Sequence, residues 1–130
     1  MGINKPTITK GDNMKQTILD AIEYKEINLA DLTDASELYE TLTYDGTLYE
    51  IAEGFVDIYY YNIRQWAVDN YDWVETAIQE GLVDMENFDF HNAIQAGQQL
   101  MLEDEARDFV EEIYTEYLKK QEQHIAEATQ

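Results

Sequence analysis

The strongest constraint on this chain is the imbalance of charge along its middle. From Glu26 to Leu118 there are 23 Asp and Glu residues and only two basic residues, Arg64 and Arg107. The flanks, residues 1–25 and 119–130, are close to neutral, so this stretch, with a charge of −21, accounts for the formal net charge of −20 of the whole chain. A polyanion of this kind is not expected to bind nucleic acid, because cations are needed to displace counterions from phosphates. Anionic membranes would also repel it. A macromolecular partner of this chain is therefore expected to offer a basic contact surface.

High net charge alone would favour disorder, but the apolar content of the chain favours folding. The 130 residues are 45% hydrophobic and 12% aromatic, with a single Pro. A chain of this length suits one domain and buries about two-thirds of its unfolded surface.

The absence of Cys excludes disulfides, thiolate zinc sites and a cysteine nucleophile. No signal-peptide pattern and no apolar run of about 18 residues is present, which predicts a cytoplasmic protein with no membrane partner.

The apolar residues recur with the period of an α-helix, and long alternating β-branched runs are absent. We therefore expect an all-α fold, with a single compact or elongated helical domain and a strongly acidic surface. Residues 1–13 contain the only Pro and a Gly-Asp-Asn turn signal, so they are predicted to be a flexible N-terminal segment. Residues 14–128 are predicted to form the helical acidic domain, and its first helix begins near Met14.

Local signals place the next helices. Asp34, with Glu37 three residues later, predicts a capped helix start, and the pair Asp45-Gly46 predicts its end. The range 55–68 is broadly apolar on one arc of a helical wheel, so it is predicted to be a central helix. A further helix is expected to end at Gly81, and the one after it to kink at Gly97.

The last helix is predicted to be long and amphipathic. At 100° per residue, its apolar side chains fall on one arc and its acids on an opposite arc of about 140°. The apolar set is Leu102, Ala106, Phe109, Val110, Ile113, Tyr114, Tyr117 and Leu118. The acidic set is Asp104, Glu105, Asp108, Glu111, Glu112 and Glu116. These acids span about 18 Å of helix at about 1.5 Å per residue, or one charge per roughly 3 Å. A DNA strand carries one phosphate per about 3.4 Å.

Other acids are spaced to prolong this anionic array. They are Asp31, Asp34, Glu37 and Glu40, then Glu50, Glu53 and Asp57, then Asp69, Asp72 and Glu75. At steps of three or four residues such acids form stripes on their helices. Matched to duplex DNA at one charge per about 1.7 Å, the excess of acids in the middle of the chain corresponds to roughly 10–11 base pairs. Together with the last helix, these acids are the candidate phosphate-mimicking residues.

Motifs for catalysis or cofactor binding are absent from the sequence. Ser36 is the only serine and lies outside any G-x-S-x-G motif, and there is no Walker loop, G-x-G-x-x-G or H-E-x-x-H motif. His91, beside Asp89, is far in sequence from His124, and Asp45-Gly46 lacks the preceding ligands of an EF-hand loop. We therefore expect no enzymatic activity, no catalytic residues, no metal site and no cofactor.

Three stretches also resemble a known family. They are residues 34–40 (DASELYE), 55–59 (FVDIY) and 105–114 (EARDFVEEIY), which look like the corresponding parts of Ocr-type phage anti-restriction proteins. The resemblance extends over about residues 30–118. It implies an all-helical, dimeric mimic of bent B-form DNA that occupies the DNA groove of type I restriction–modification enzymes. The chain differs in its ending, where Lys119 and Lys120 precede near-neutral residues in place of an extreme acidic tail.

These features predict a DNA-mimic inhibitor of a DNA-binding host defence enzyme, foremost type I restriction–modification. Its partner would be the basic groove of that enzyme, with no direct nucleic-acid binding and with a homodimer as a further expectation. The alternatives are an anti-CRISPR inhibitor with the same electrostatics, an acidic adaptor or chaperone for a basic protein, and a calcium-binding module.

Overall fold

The fold is described from a computed structural model, which covers residues 10–57 and 61–128, with side chains for residues 13–57 and 61–123. Every regular element in these ranges is helical, which confirms the all-α class. The helices are α1 (Lys10–Tyr24), α2 (Ala35–Tyr44), α3 (Thr47–Glu53), α4 (Ile63–Asp69), α5 (Tyr71–Gln79) and α6 (Phe90–Ala128), with a short 3-10 turn at Leu29–Asp31. No helix among the described residues combines the length and apolarity needed to cross a bilayer.

Helix α1 begins earlier than expected. It begins at Lys10, four residues before Met14, so the Gly-Asp-Asn sequence forms part of its first turn. Residues 1–9 of the predicted flexible segment lie outside the described part of the chain. At the other end, the Ile27 amide donates to the Ile22 carbonyl at 3.0 Å, and Glu26 has a left-handed φ of 56°. This is the geometry of a Schellman C-cap, with glutamate at the position where glycine is usual.

The predicted start and end of α2 are confirmed. The Asp34 side chain accepts a hydrogen bond from the Glu37 amide at 2.9 Å, as an N-cap should. Glu37 in turn accepts from the Thr33 hydroxyl at 2.6 Å, one residue before the cap. The helix ends at Tyr44, and Gly46 takes the positive φ of 80° that turns the chain into α3.

The central helix predicted over residues 55–68 is wrong. Helix α3 ends at Glu53, the chain is not helical at 54–57 or at 61–62, and α4 begins only at Ile63; residues 58–60 lie outside the described ranges. The reason is a tertiary contact. The Gln98 side chain accepts from the Asp57 amide at 2.9 Å and donates to the Asp57 carbonyl at 3.2 Å. Both backbone groups of Asp57 are thus satisfied without a helix.

The helix predicted to kink at Gly97 and the predicted last helix form one continuous helix, α6, which has no break at the glycine. The end of α5 is as predicted, because the Leu82 amide donates to the Ala77 carbonyl at 3.0 Å and Gly81 has a φ of 78°. The long last helix is therefore confirmed, and it begins twelve residues before Leu102, at Phe90.

The chain divides into two compact units. The first comprises the residues up to Ile51 together with those from Glu105 onward, and the second is Ala52–Asp104. The buried apolar residues of the first unit come from four helices: Met14, Ile18, Ile22, Leu38, Leu42, Leu48, Ala106, Val110, Ile113 and Tyr114. In the second unit a core of Val74, Ala77, Val83 and Ala93 packs with Trp66, Ile78, Ala96 and Leu100.

Candidate anionic interaction surface

The acidic face of α6 is positioned by burial of the opposite face. Of its predicted apolar arc, Leu102, Ala106, Val110, Ile113 and Tyr114 are buried, and only Leu118 is exposed. The Tyr114 hydroxyl donates to the Leu32 carbonyl at 3.0 Å, which fixes the rotation of α6 within the first unit. Five of the six predicted acids on this helix are exposed, and Glu105 is half-buried. The amphipathic pattern read from the sequence therefore describes the helix well.

Two acids of this face are engaged inside the protein. Lys15 on α1 donates through Nζ to Glu112 Oε1 and to Glu116 Oε1, at 3.0 Å each. The Lys15 side chain is 23% exposed and the two glutamates are 50% exposed. Hydrogen bonding to Glu116 and to Glu112 raises the pKa of Lys15 above its ordinary value, against a smaller effect of burial. The lysine is therefore charged at neutral pH and compensates part of the acidic face.

Of the acids on α2 and just before it, some form hydrogen bonds that stabilise the helix start and others are open to solvent. Asp34 and Glu37 serve the helix start, as described above. Asp31, which closes the 3-10 turn, and Glu40, on the body of α2, are both exposed. The predicted stripe at steps of three is thus partly used to stabilise the fold, because capping contributes about 1 kcal/mol in a typical helix.

The remaining predicted acids are exposed in all but one case. Glu50 and Glu53 lie exposed on α3. In the second unit, Asp69, Asp72 and Glu75 are exposed on α4 and α5, where Asp69 accepts from Gln65 Nε2 at 2.9 Å and Glu75 accepts from Gln79 Nε2 at 3.4 Å. Asp57 is the half-buried exception, because its backbone is held by Gln98.

Sequence reasoning did not single out several acids with specific structural roles. Lys25 forms an ion pair with Asp45 and, together with hydrogen bonds from Thr47, lowers the pKa of Asp45 to about 2. Asp84 accepts from the amides of Glu86 and Asn87, and hydrogen bonds from Asn87 and then Glu86 lower its pKa. The Asx-turn spacing after Asp84 is a signal that could have identified this residue.

Glu103 differs from the other acids of α6 because burial of its carboxylate outweighs its hydrogen bonding. Desolvation raises its pKa, Gln99 opposes this by hydrogen bonding, and the charge of Glu80 adds a smaller upward effect. At 100° per residue Glu103 falls on the apolar arc of α6 and outside the acidic arc, and its half-buried position agrees with this placement.

Two concave features accompany the acids, one in each unit. In the first unit, the Arg107 guanidinium lies 5.2 Å from the centre of the Tyr39 ring, and both line a cavity of about 80 Å³ with Ala35, Ser36 and Glu111. In the second unit, an open and largely apolar groove of about 470 Å³ is lined by Arg64, Ala67, Val68, Tyr71 and Phe90. Among the described residues, no group of three or more His, Asp or Glu side chains is placed to hold a metal ion.

The structure brings two acids of α6, Glu112 and Glu116, onto Lys15 and leaves other acids of this helix open to solvent. Asp104, Asp108 and Glu111 are exposed and belong to no ion pair among the described residues. Carboxylates held in this way can offer hydrogen-bond acceptors and charge to Lys and Arg side chains, as phosphates do. Comparisons with known protein families, with curated proteins and with solved structures find no match to this chain.

Proposed function

We propose that this protein is a non-enzymatic DNA mimic that inhibits a DNA-binding host defence enzyme, foremost a type I restriction–modification enzyme. Its exposed carboxylates would occupy the basic groove in which that enzyme holds DNA phosphates. The site of action would be the cytoplasm of the host cell, and the partner would be a basic protein with no direct contact to nucleic acid.

The observation that carries the proposal is the exposure of acids that the fold does not use. Of the sixteen candidate acids, thirteen are exposed, and eight of these make no side-chain hydrogen bond or ion pair with another described residue: Asp31, Glu40, Glu50, Glu53, Asp72, Asp104, Asp108 and Glu111. Dense uncompensated charge destabilises a folded chain through self-repulsion. Binding to a partner that neutralises this charge would give the exposed acids a function.

Mutation of six of these residues, Asp31, Glu40, Glu50, Asp104, Asp108 and Glu111, tests the proposal directly. The variant with Asp→Asn and Glu→Gln at all six positions should retain its fold and lose most of its inhibition. If each exposed pair contributes about 0.5 kcal/mol, the six together contribute about 3 kcal/mol, or roughly 100-fold in affinity. The matched control exchanges Asp for Glu and Glu for Asp at the same positions. It keeps every charge and should keep inhibition within a few-fold of wild type.

The choice of target enzyme separates the proposal from its rivals. The inhibition assay is run against a type I restriction–modification enzyme and against a CRISPR effector complex, whose nucleic-acid channel is also basic. Inhibition of the second enzyme alone would favour the anti-CRISPR alternative. A partner that binds the chain while still holding DNA would favour an acidic adaptor or chaperone. Sedimentation at several protein concentrations tests the homodimer that the family resemblance implies.

A further inference from the structure

The only aspartate–glycine pair in the chain, Asp45-Gly46, lies in the turn between α2 and α3. None of the six glycines follows an asparagine. In an Asp-Gly pair the aspartate side chain reacts most readily with the following backbone nitrogen, because glycine has no Cβ to hinder the approach. The Asp45 side chain is 42% exposed, so water reaches it. The turn therefore has the composition and the exposure of a spontaneous modification site.

The modification is isomerisation of the aspartate. The Gly46 nitrogen attacks Cγ of the protonated Asp45 carboxyl and forms a C–N bond, while the carboxyl hydroxyl leaves with the amide hydrogen as water. The product is a succinimide ring. Addition of one water opens the ring at either carbonyl and gives back aspartate or forms isoaspartate, in which the main chain runs through the former side chain. The mass of the protein is unchanged, and water is the only co-reactant.

Both reacting groups are held by hydrogen bonds in the folded protein. Lys25, just after α1, donates through Nζ to Asp45 Oδ2. Thr47 donates to Asp45 Oδ1 through its amide at 3.1 Å and through its hydroxyl at 2.6 Å. The Gly46 amide donates to the Thr43 carbonyl at 3.0 Å. Attack on Cγ therefore requires the carboxyl to leave three donors and the nitrogen to leave its acceptor.

The same donors keep the carboxyl in its unreactive form. Hydrogen bonding from Lys25 and then from Thr47 lowers the pKa of Asp45 to about 2, so this group is ionised at neutral pH. A carboxylate anion has no hydroxyl to lose as water and is a poor electrophile. The hydrogen bonds and the charge state thus slow the reaction together.

We propose that Asp45 is the site of spontaneous isoaspartate formation in this protein, and that Lys25 and Thr47 slow the reaction by holding its carboxylate in place. Isoaspartate would add one methylene to the main chain between α2 and α3. It would also displace the carboxylate that pairs with Lys25, so the contact between the end of α1 and this turn would be lost. The inference does not depend on the proposed function.

Peptide mapping after incubation of the full chain at physiological temperature measures the reaction. Electron-transfer fragmentation distinguishes isoaspartate from aspartate of equal mass. The folded wild-type chain should convert far more slowly than the same chain in urea. Folded Lys25→Gln should convert about two- to fivefold faster than wild type, because an exposed ion pair shifts an opening equilibrium by about that factor. Lys25→Arg retains the cation and should keep the wild-type rate.

Lys15→Gln is the matched control, because it removes a cation of α1 that pairs with two other carboxylates. It should leave conversion at Asp45 unchanged. Thr47→Val removes the hydroxyl donor and should also accelerate conversion, and it carries the test if urea unfolding shows that Lys25→Gln does not fold. Wild type that converts equally fast folded and unfolded would overturn the inference. So would folded Lys25→Gln at the wild-type rate, or an equal acceleration in Lys15→Gln.

Discussion

Gly97 on α6 and Val74 on α5 approach so closely that a side chain on residue 97 would crowd the Val74 backbone. A Cβ atom on Gly97 would lie 3.0 Å from both the backbone nitrogen and the Cα of Val74. The glycine therefore allows two helices of the second unit to pack backbone to backbone. Helix α6 continues through this glycine without a break.

Substitution of Gly97 by Ala should destabilise the second unit. Overpacking of this kind costs about 1–3 kcal/mol, while alanine gains up to about 1 kcal/mol of helix propensity over glycine. The expected net effect is a loss of up to about 2 kcal/mol in the free energy of unfolding, measured by urea unfolding. Gln95→Ala, at an exposed position two residues earlier, is the control and should be neutral or slightly stabilising. A Gly97→Ala variant as stable as this control would show that the helices are not in close contact.

Gln98 should be essential for the segment that follows α3. Gln98→Leu removes both hydrogen bonds to the Asp57 backbone and leaves a part-buried amide and carbonyl without those partners. A buried group that loses its hydrogen-bond partner costs about 1–3 kcal/mol, so the loss of these two hydrogen bonds is expected to lower the free energy of chemical unfolding by about 2–6 kcal/mol. The control is Gln95→Leu, which makes the same change on the exposed side of α6. Similar stabilities of the two leucine variants would contradict the contact.

Glycine at position 26 should stabilise the protein. Glu26 has a left-handed φ of 56° at the C-cap of α1, a conformation that costs a residue with a Cβ roughly 1–2 kcal/mol. Glycine loses more backbone entropy on folding, which offsets part of this gain. Glu26→Gly is expected to add about 0.5–1 kcal/mol to the free energy of unfolding. Gly81→Ala makes the reverse change at the C-cap of α5 and should lower it by a similar amount. A loss of stability in Glu26→Gly would refute the cap assignment.

Glu103 should make stability depend on pH in a defined direction. Burial raises the pKa of this carboxyl in the folded state, so the folded protein disfavours its charged form. The charge therefore costs stability at neutral pH, and the cost disappears as pH falls below the unfolded value of about 4.5. Glu103→Gln should melt at a higher temperature than wild type at pH 7, by more than the exposed control Asp104→Asn does. The gap should narrow as pH falls toward 4.5; a gap that is constant with pH would exclude this explanation.

The sequence predicted best those elements whose determinants are local. The apolar and acidic arcs of α6, the Asp34 cap and the Gly46 and Gly81 helix ends all follow from residues within a few positions of one another. The central helix failed because its decisive partner is 41 residues away: Gln98 satisfies the Asp57 backbone, and no local periodicity contains that contact. The close packing at Gly97 could not be predicted for the same reason, since it depends on Val74 in another helix.

The sequence predicted which acids lie on the candidate surface, but only partly which of them have structural roles. Exposure of most of the sixteen acids follows from helical periodicity. Helical periodicity does not predict which carboxylates form hydrogen bonds or ion pairs within the protein and which stay open to solvent, because this depends on where the few cations and amides lie. Lys15 is distant from Glu112 and Glu116 in sequence, and the Thr33 hydroxyl reaches Glu37 only because α2 begins where it does.

The central claim is that ordered carboxylates take the place of DNA phosphates in a basic groove. Displacement of a fluorescent duplex from a type I restriction–modification methyltransferase measures this most directly. The account predicts complete displacement at stoichiometric protein, with an apparent affinity that weakens steeply between about 50 mM and about 200 mM salt. A ternary complex in which the enzyme binds this protein and keeps its duplex, or displacement that does not change with salt, would contradict it.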